Sequence, residues 1–238
     1  MKQQAEQGVR RRRTQPPPQT EQPRRQRKRR LRIHPLGILL LLLLAGSLGV
    51  LAVGGYQLMG VEQRMTDGAA EARSVIQLGL AETAQSGGLT AGGAIHAAVK
   101  GEPIGLLTFP DSRATEVAIY DGTDDAALER GAGHATDTAL PGEPGNCVLF
   151  GHRDSAFRPM EQVEQGDTLL VETASGATRY TVHTMFVTTP EDAAFYEETE
   201  ETRLTLVTCY PFRFVGPAPE RYVIIAMAED ENRPVLLQ

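Results

Sequence analysis

Leu204-Thr205-Leu206-Val207-Thr208-Cys209-Tyr210-Pro211 decides how the rest of the chain is read. Its apolar and β-branched residues predict a strand over 204–209. Pro211 has no backbone N–H to give a sheet ladder, so the strand must end there. Cys209 therefore sits at a strand end, where side chains face loops and ligands. A buried core cysteine is the plainer alternative for any lone thiol. Cys147 fits that alternative, because Asn146-Cys147-Val148-Leu149-Phe150 reads as a passage through a core. A Cys147–Cys209 bridge would disable a nucleophile at 209 and is the third possibility.

Working outward, short apolar stretches alternate with turn residues from about residue 101. Strands are predicted over 104–109, 116–120, 147–150, 168–172, 179–187, 204–209 and 222–227, with one short helix over 124–130. Leu106, Ile119, Val148, Leu169, Val182, Leu206 and Ile224 are the core candidates. Many short strands parted by Gly/Pro turns indicate a mainly β sandwich or closed barrel. There is no GxGxxG, P-loop or HExxH in the sequence.

The other end of the chain sets the topology. The whole sequence carries a formal charge of -6, yet residues 1–34 hold 12 of the 24 Lys+Arg and only 2 of the 30 Asp+Glu. The remainder is strongly acidic and would repel a phosphate backbone, so nucleic acid is not an expected partner. Residues 1–35, with basic clusters at 10–13 and 24–32, read as a disordered cytoplasmic tail. Residues 36–55 are an uncharged run of 20, long enough at about 1.5 Å per residue to cross a bilayer core of roughly 30 Å. The basic cluster lies before this run and the next basic residue is Arg64. The positive-inside rule then predicts a single-pass membrane anchor, N-terminus in the cytoplasm and body outside. A cleaved signal peptide is the competing reading, but no clean Ala-x-Ala site follows the run. Residues 56–100 read as a stalk, helix-like at the start with Val61, Met65 and Ala69 on one stripe. A helix packed on the body is the alternative.

A nucleophilic cysteine needs a partner for its proton. Of the five histidines, His34 lies at the membrane edge, His96 in the stalk and His183 inside a predicted strand. His134 sits in a Gly-rich loop and would line a cleft or be solvated. His152 follows Phe150-Gly151 at a strand end, where Gly151 permits close backbone approach. Acyl transfer also needs a group to stabilise the oxyanion. Arg221 opens the last apolar strand, although Glu220 beside it offers an ordinary ion pair.

At these residues the sequence resembles the sortases, cysteine transpeptidases of the Gram-positive cell surface. Three blocks carry the resemblance, within residues 102–228. They are Gly131-Ala132-Gly133-His134 through Leu140-Pro141-Gly142-Glu143-Pro144-Gly145-Asn146, then Gly151-His152-Arg153-Asp154, then residues 204–211 with Arg221 downstream. The resemblance implies an eight-stranded β-barrel in a catalytic domain spanning 101–238. It implies Cys209 as acyl acceptor, His152 as general acid/base and Arg221 as oxyanion and substrate arginine. It further implies recognition of surface proteins bearing a Leu-Pro-Xaa-Thr-Gly sorting signal, and transfer of the acyl group to an amine of a cell-wall precursor or a pilin.

Within the family, the long block before His152 resembles classes C and D. The Asp-Pro-aromatic lid of class C has no counterpart at Phe109-Pro110-Asp111, and the sequence after Met227 is polar, which favours a class D-like or lidless enzyme. The acidic stretch 189–202 could hold Ca²⁺ but reads more simply as a solvated loop, and no obligatory cofactor is expected. An L,D-transpeptidase would carry Ser-x-Gly-Cys around its nucleophile, and a papain-like protease would place Cys before His on a helix. A surface-binding module without catalysis would not need all three of Cys209, His152 and Arg221.

Overall fold

The computed structural model describes residues 35–85, 99–110, 113–214 and 216–229. The basic stretch with His34, the Gly/Ser stretch with His96 and the C-terminal residues after 229 lie outside these. The chain divides into two units, Met1–Leu48 and Gly49–Gln238. Helix α1 spans Pro35–Gln85. In the first unit its leucines, Leu36 and Leu39 to Leu44, are exposed. By length and composition α1 is long and apolar enough to cross a membrane.

The second unit is a closed barrel of eight strands. They are β1 (Pro103–Thr108), β2 (Glu116–Asp121), β3 (Ala132–His134), β4 (Gly145–Phe150), β5 (Thr168–Thr173), β6 (Gly176–Thr188), β7 (Thr202–Tyr210) and β8 (Glu220–Ala228). A short helix α2 (Asp125–Leu128) precedes β3, with the Asp124 side chain accepting from the Ala127 amide as its N-cap. Strands pair in the order β1-β2-β3-β4-β7-β8-β6-β5, and β5 closes on β1. Two of the pairs, β2–β3 and β4–β7, are parallel. All seven strands read from the sequence are present. β3 was missed because three residues, two of them followed or preceded by glycine, carry no alternating pattern.

Alternation along each strand sorts the core into three apolar layers. Leu107, Val117, Ile119, Cys147, Leu149, Leu204, Leu206, Ile224 and Ala226 fill the barrel interior with Phe109, Phe157 and Tyr180. Leu106, Ala118 and Tyr120 point out of β1 and β2 against Ala69, Ala72 and Ile76 of α1. Val148, Val207 and Val223 point out of β4, β7 and β8 against Phe195. Phe195 belongs to a 3-10 turn at Ala193–Tyr196, between β6 and β7. Strand β7 is covered on both faces, which is why Val207, pointing out, is as apolar as Leu204 and Leu206, pointing in. All seven core candidates are buried. Leu106 and Val148, however, serve the two outer layers rather than the interior.

The α1 layer shows why its sequence is small-residue rich. A Cβ on Gly68 would lie 2.7 Å from the Arg130 carbonyl and 2.9 Å from the Tyr120 hydroxyl. Ion pairs Arg64–Glu129, Arg73–Glu116 and Glu71–Arg130 flank the stripe. The Arg130 guanidinium also lies over the Tyr120 ring, 4.3 Å from its centroid. Between residues 65 and 76 the helix thus carries a face of the core, as the packed alternative for this stretch has it.

Candidate active site

Strand β7 puts Leu204 and Leu206 inside the barrel and Val207 outside it, so Cys209 falls on the outer side with Val207. It is free and half-buried. Cys147 is free as well, but faces the interior opposite Leu204, near the other end of β7. A bridge between the two is therefore not made. Burial pushes the Cys147 thiol pKa far up, with the Glu143 carboxylate adding to it, so this thiol stays protonated. The core reading of Cys147 holds.

Strand β7 is flanked by β8 on one side and β4 on the other. In the antiparallel β7–β8 ladder, Cys209 and Arg221 are directly opposed. Side chains opposed in this way share a face, with Cβ atoms about 4.5–5.5 Å apart. Arg221 is half-buried, and its Nη1 donates to the Glu220 carbonyl at 3.0 Å. Among the described residues it makes no ion pair, so the expected alternative partner, the Glu220 carboxylate, is not engaged. On the other side, β4 runs parallel to β7 with a constant register from Gly145↔Thr202 to Phe150↔Val207. His152 follows two residues after the last pair on β4, as Cys209 follows two residues after it on β7.

The turn into His152 is fastened to β7. The Gly151 amide donates to the Val207 carbonyl at 3.2 Å, and the buried Thr208 hydroxyl donates to the Gly151 carbonyl at 2.7 Å. Glycine is required at 151, since a Cβ there would lie 2.6–2.8 Å from three ring carbons of Phe157. The His152 carbonyl accepts from the amides of Ser155 and Phe157. The His152 side chain is exposed. Asp154 makes no hydrogen bond or ion pair with it among the described residues.

His134 departs from the sequence reading. It lies in β3, buried, and neither lines a cleft nor meets solvent. Its Nδ1 is 3.2 Å from Asp121 Oδ1 and its Nε2 donates to the Ala139 carbonyl at 3.0 Å. It ties β2 and β3 to the loop ahead of β4. His183 is exposed on β6, as a sheet residue.

Asn146 and Thr208 also shape the site. Asn146, buried on β4, donates from Nδ2 to the Phe195 and Glu197 carbonyls at 2.8 and 3.2 Å, and accepts from the Thr205 hydroxyl at 2.7 Å. These bonds hold the β6–β7 connection over the apolar face formed by Val148, Val207 and Val223. Thr208 and Asn146 stand within the motif blocks, but their roles depend on which strand lies alongside. The acidic stretch 189–202 is organised locally. Asp192 accepts from Thr188 and from the Ala194 amide, which holds its carboxyl below the usual range. Among the described residues, no group of three or more His, Cys, Asp or Glu comes together as a metal site.

A family model described as sortase domain matches residues 107–229. Sortase D of Bacillus subtilis (strain 168) is 41% identical over 125 residues, 52% of this chain and 63% of the relative. The chain thus spans less than two thirds of that relative's length. Among solved structures, a sortase D5 transpeptidase of Clostridium perfringens has a TM-score of 0.56 at 23% identity, over 71% of this chain and 99% of that one, a likeness of fold. A sortase C1 of Streptococcus agalactiae has a TM-score of 0.51 at 26% identity, over 68% of this chain and 90% of that one. The family match covers more than half of the sequence and contains the strand on which the reading began, and on that ground the chain belongs to the sortase family of cysteine transpeptidases.

Proposed function

We propose that this protein is a membrane-anchored transpeptidase that cleaves a Leu-Pro-Xaa-Thr-Gly-type sorting signal after Thr and passes the acyl group to an amine. The observation that carries the proposal is the register of β7. It pairs Cys209 with Arg221 on β8, and on the other side it runs alongside β4 as far as Phe150↔Val207, two residues short of His152 and of Cys209, which supports a site built from the three.

In the proposed reaction the Cys209 thiolate attacks the Thr carbonyl carbon, and Arg221 stabilises the charge on the oxygen. The tetrahedral intermediate collapses as the C–N bond breaks, with protonated His152 giving its proton to the departing Gly amine. The thioester is then attacked by an acceptor amine, His152 takes the amine's proton, and the Cys209 thiolate leaves. Phe150, Phe186 and Ile225, half-buried around the layer of Val148, Val207 and Val223 that Phe195 covers, offer the apolar surface a Leu-Pro segment needs.

The basic sequence before residue 35 and the apolar helix after it support an anchor with the barrel outside the cell membrane. The partners are surface proteins carrying sorting signals, an acceptor amine on a cell-wall precursor or a pilin, and the lipid bilayer. Identity to a sortase D favours the class D-like type. The chemistry uses protein side chains only.

The test mixes the full chain in detergent, wild type and Cys209→Ala, with Leu-Pro-Xaa-Thr-Gly peptides and a glycine or lysine amine, followed by intact mass. A thioester on wild type alone, with the peptide cut after Thr and joined to the amine, is expected. No adduct across a varied peptide set would refute the proposal.

A further inference from the structure

Cys209 and Arg221 are joined by a connection of nine residues, 211–219, whose conformation decides how the two strand ends meet. Its first residues are held by aromatic packing. Phe212 lies edge-on to Tyr210 and Tyr222, with centroids 6.0 and 5.3 Å away, and reaches the barrel interior cluster. Its middle is held from a different quarter. Arg153, the residue after His152, donates from Nη2 to the Phe214 carbonyl at 2.8 Å and to the Gly216 carbonyl at 3.2 Å. Arg213 reaches the same side, 3.2 Å from Glu161 in the 3-10 turn Arg158–Gln162. That pair is mostly exposed and contributes little order by itself.

Arg153 is not a solvated surface arginine. The residue is half-buried: its Nη1 is buried, with no hydrogen-bond partner among the described residues, while the two Nη2 bonds lie on its exposed side. A buried donor left unmade is unfavourable, so the two charge-assisted bonds of Nη2 must outweigh it. Both acceptors are backbone carbonyls, which a change of loop sequence would leave in place. Phe214 stands five residues from Cys209, and Gly216 five from Arg221. One side chain thereby links the His152 turn to the midpoint of the connection between the other two candidates.

We infer that Arg153 is a positioning residue of the transpeptidase site, which orders the 211–219 connection and through it fixes Arg221 and Cys209 relative to His152. The inference rests on the proposed function for its consequence in catalysis, though not for the ordering itself. Lysine at 153 has one ammonium in place of a planar fork and satisfies the two carbonyls less well. Methionine keeps the stem and removes both bonds.

The full chain in detergent is compared as wild type, Arg153→Met and Arg153→Lys by amide hydrogen exchange and by the pre-steady-state rate of thioester formation with a Leu-Pro-Xaa-Thr-Gly peptide. Arg153→Met is expected to exchange about tenfold to hundredfold faster at the amides of Phe212, Arg213, Phe214, Gly216 and Ala218, with strands β1, β2 and β5 unchanged. Its acylation kcat falls about tenfold or more while KM stays within about twofold, since the substrate floor is untouched. Arg153→Lys recovers part of both. Unchanged exchange in Arg153→Met overturns the inference whatever the activity, and so does faster exchange with a wild-type acylation rate. If the wild type itself forms no thioester, the transpeptidase reading fails, and the exchange result still decides whether Arg153 orders the connection.

Discussion

Replacing Gly151 by alanine puts a methyl group where the Phe157 ring already is. The new Cβ would lie 2.6, 2.8 and 2.8 Å from Cγ, Cδ1 and Cδ2 of a ring that is fully buried. Ordinary carbon contacts begin near 3.5 Å, so ring or backbone must give by nearly an ångström. The ring has little room, because it packs edge-on against Phe109 at 6.1 Å between centroids. The backbone is tied to β7 by the Val207 carbonyl and the Thr208 hydroxyl. Overpacking of this kind destabilises by about 1–3 kcal/mol. If the backbone yields, His152 moves with it, and a misplacement of about 1 Å lowers a rate by about a hundredfold. A double-mutant cycle separates the effects. Phe157→Ala alone is expected to destabilise by about 3–5 kcal/mol. In that background Gly151→Ala should add almost nothing, giving a coupling of about 1–3 kcal/mol between the two positions. Urea unfolding supplies the stabilities and thioester formation the rates. A Gly151→Ala protein as stable and as fast as wild type, or one whose destabilisation persists without the Phe157 ring, would refute the reasoning.

Four other outcomes are expected. A small alkylating reagent near neutral pH should label Cys209 in the folded protein and reach Cys147 only after unfolding, as peptide mapping by mass would show. Thr208→Val should lose about 1 kcal/mol and slow acylation, with Thr208→Ser close to wild type in both, since only the bond to the Gly151 carbonyl is at stake. Gly68→Leu should lift α1 from β2, lowering stability by about 1–3 kcal/mol and exposing the apolar face of Leu106 and Ala118 to a hydrophobic dye. Burial pushes the Tyr120 hydroxyl up to about 12, with Arg130 opposing and Glu71 adding to the shift. From its ordinary value of 10.0 upward the unfolded chain loses this proton before the folded one does. Stability should therefore fall as pH rises between about 10 and 12, by no more than about 3 kcal/mol, and Tyr120→Phe should remove that part of the loss in alkaline urea titrations.

Much of the barrel was legible because strand signals are local. Apolar or alternating residues bounded by Gly, Pro and Asp mark seven of the eight strands within a few residues of their ends. Pro211 marks the end of the strand that carries Cys209. The family blocks lie on β3, β4, β7 and the start of β8 and in adjoining loops, and they name Cys209, His152 and Arg221 without any knowledge of contacts. His134 was placed wrongly because Gly-Ala-Gly-His reads as a loop by composition. Its burial comes from pairing with β2 and β4 and from Asp121, thirteen residues earlier. The stripe of Val61, Met65 and Ala69 is helical in the sequence. Nothing local says whether such a stripe meets protein or solvent.

By itself, then, the sequence determined seven of the eight strands, the apolar helix, the family and the identity of the three candidate residues. Each of these is written in periodicity, composition or short motifs. The tertiary structure alone decided what lies beside what. The parallel register of β4 on β7 brings together residues 57 apart in the chain, through a crossover containing β5 and β6. Side-chain packing on three apolar layers fixes that register, because a slip of one residue would turn Leu204 and Leu206 out of the barrel and Cys209 into it. The same packing closes Phe157 on Gly151 and Arg153 on the β7–β8 connection. These are contacts between segments whose sequences carry no mark of one another, and they exist only once the barrel has closed.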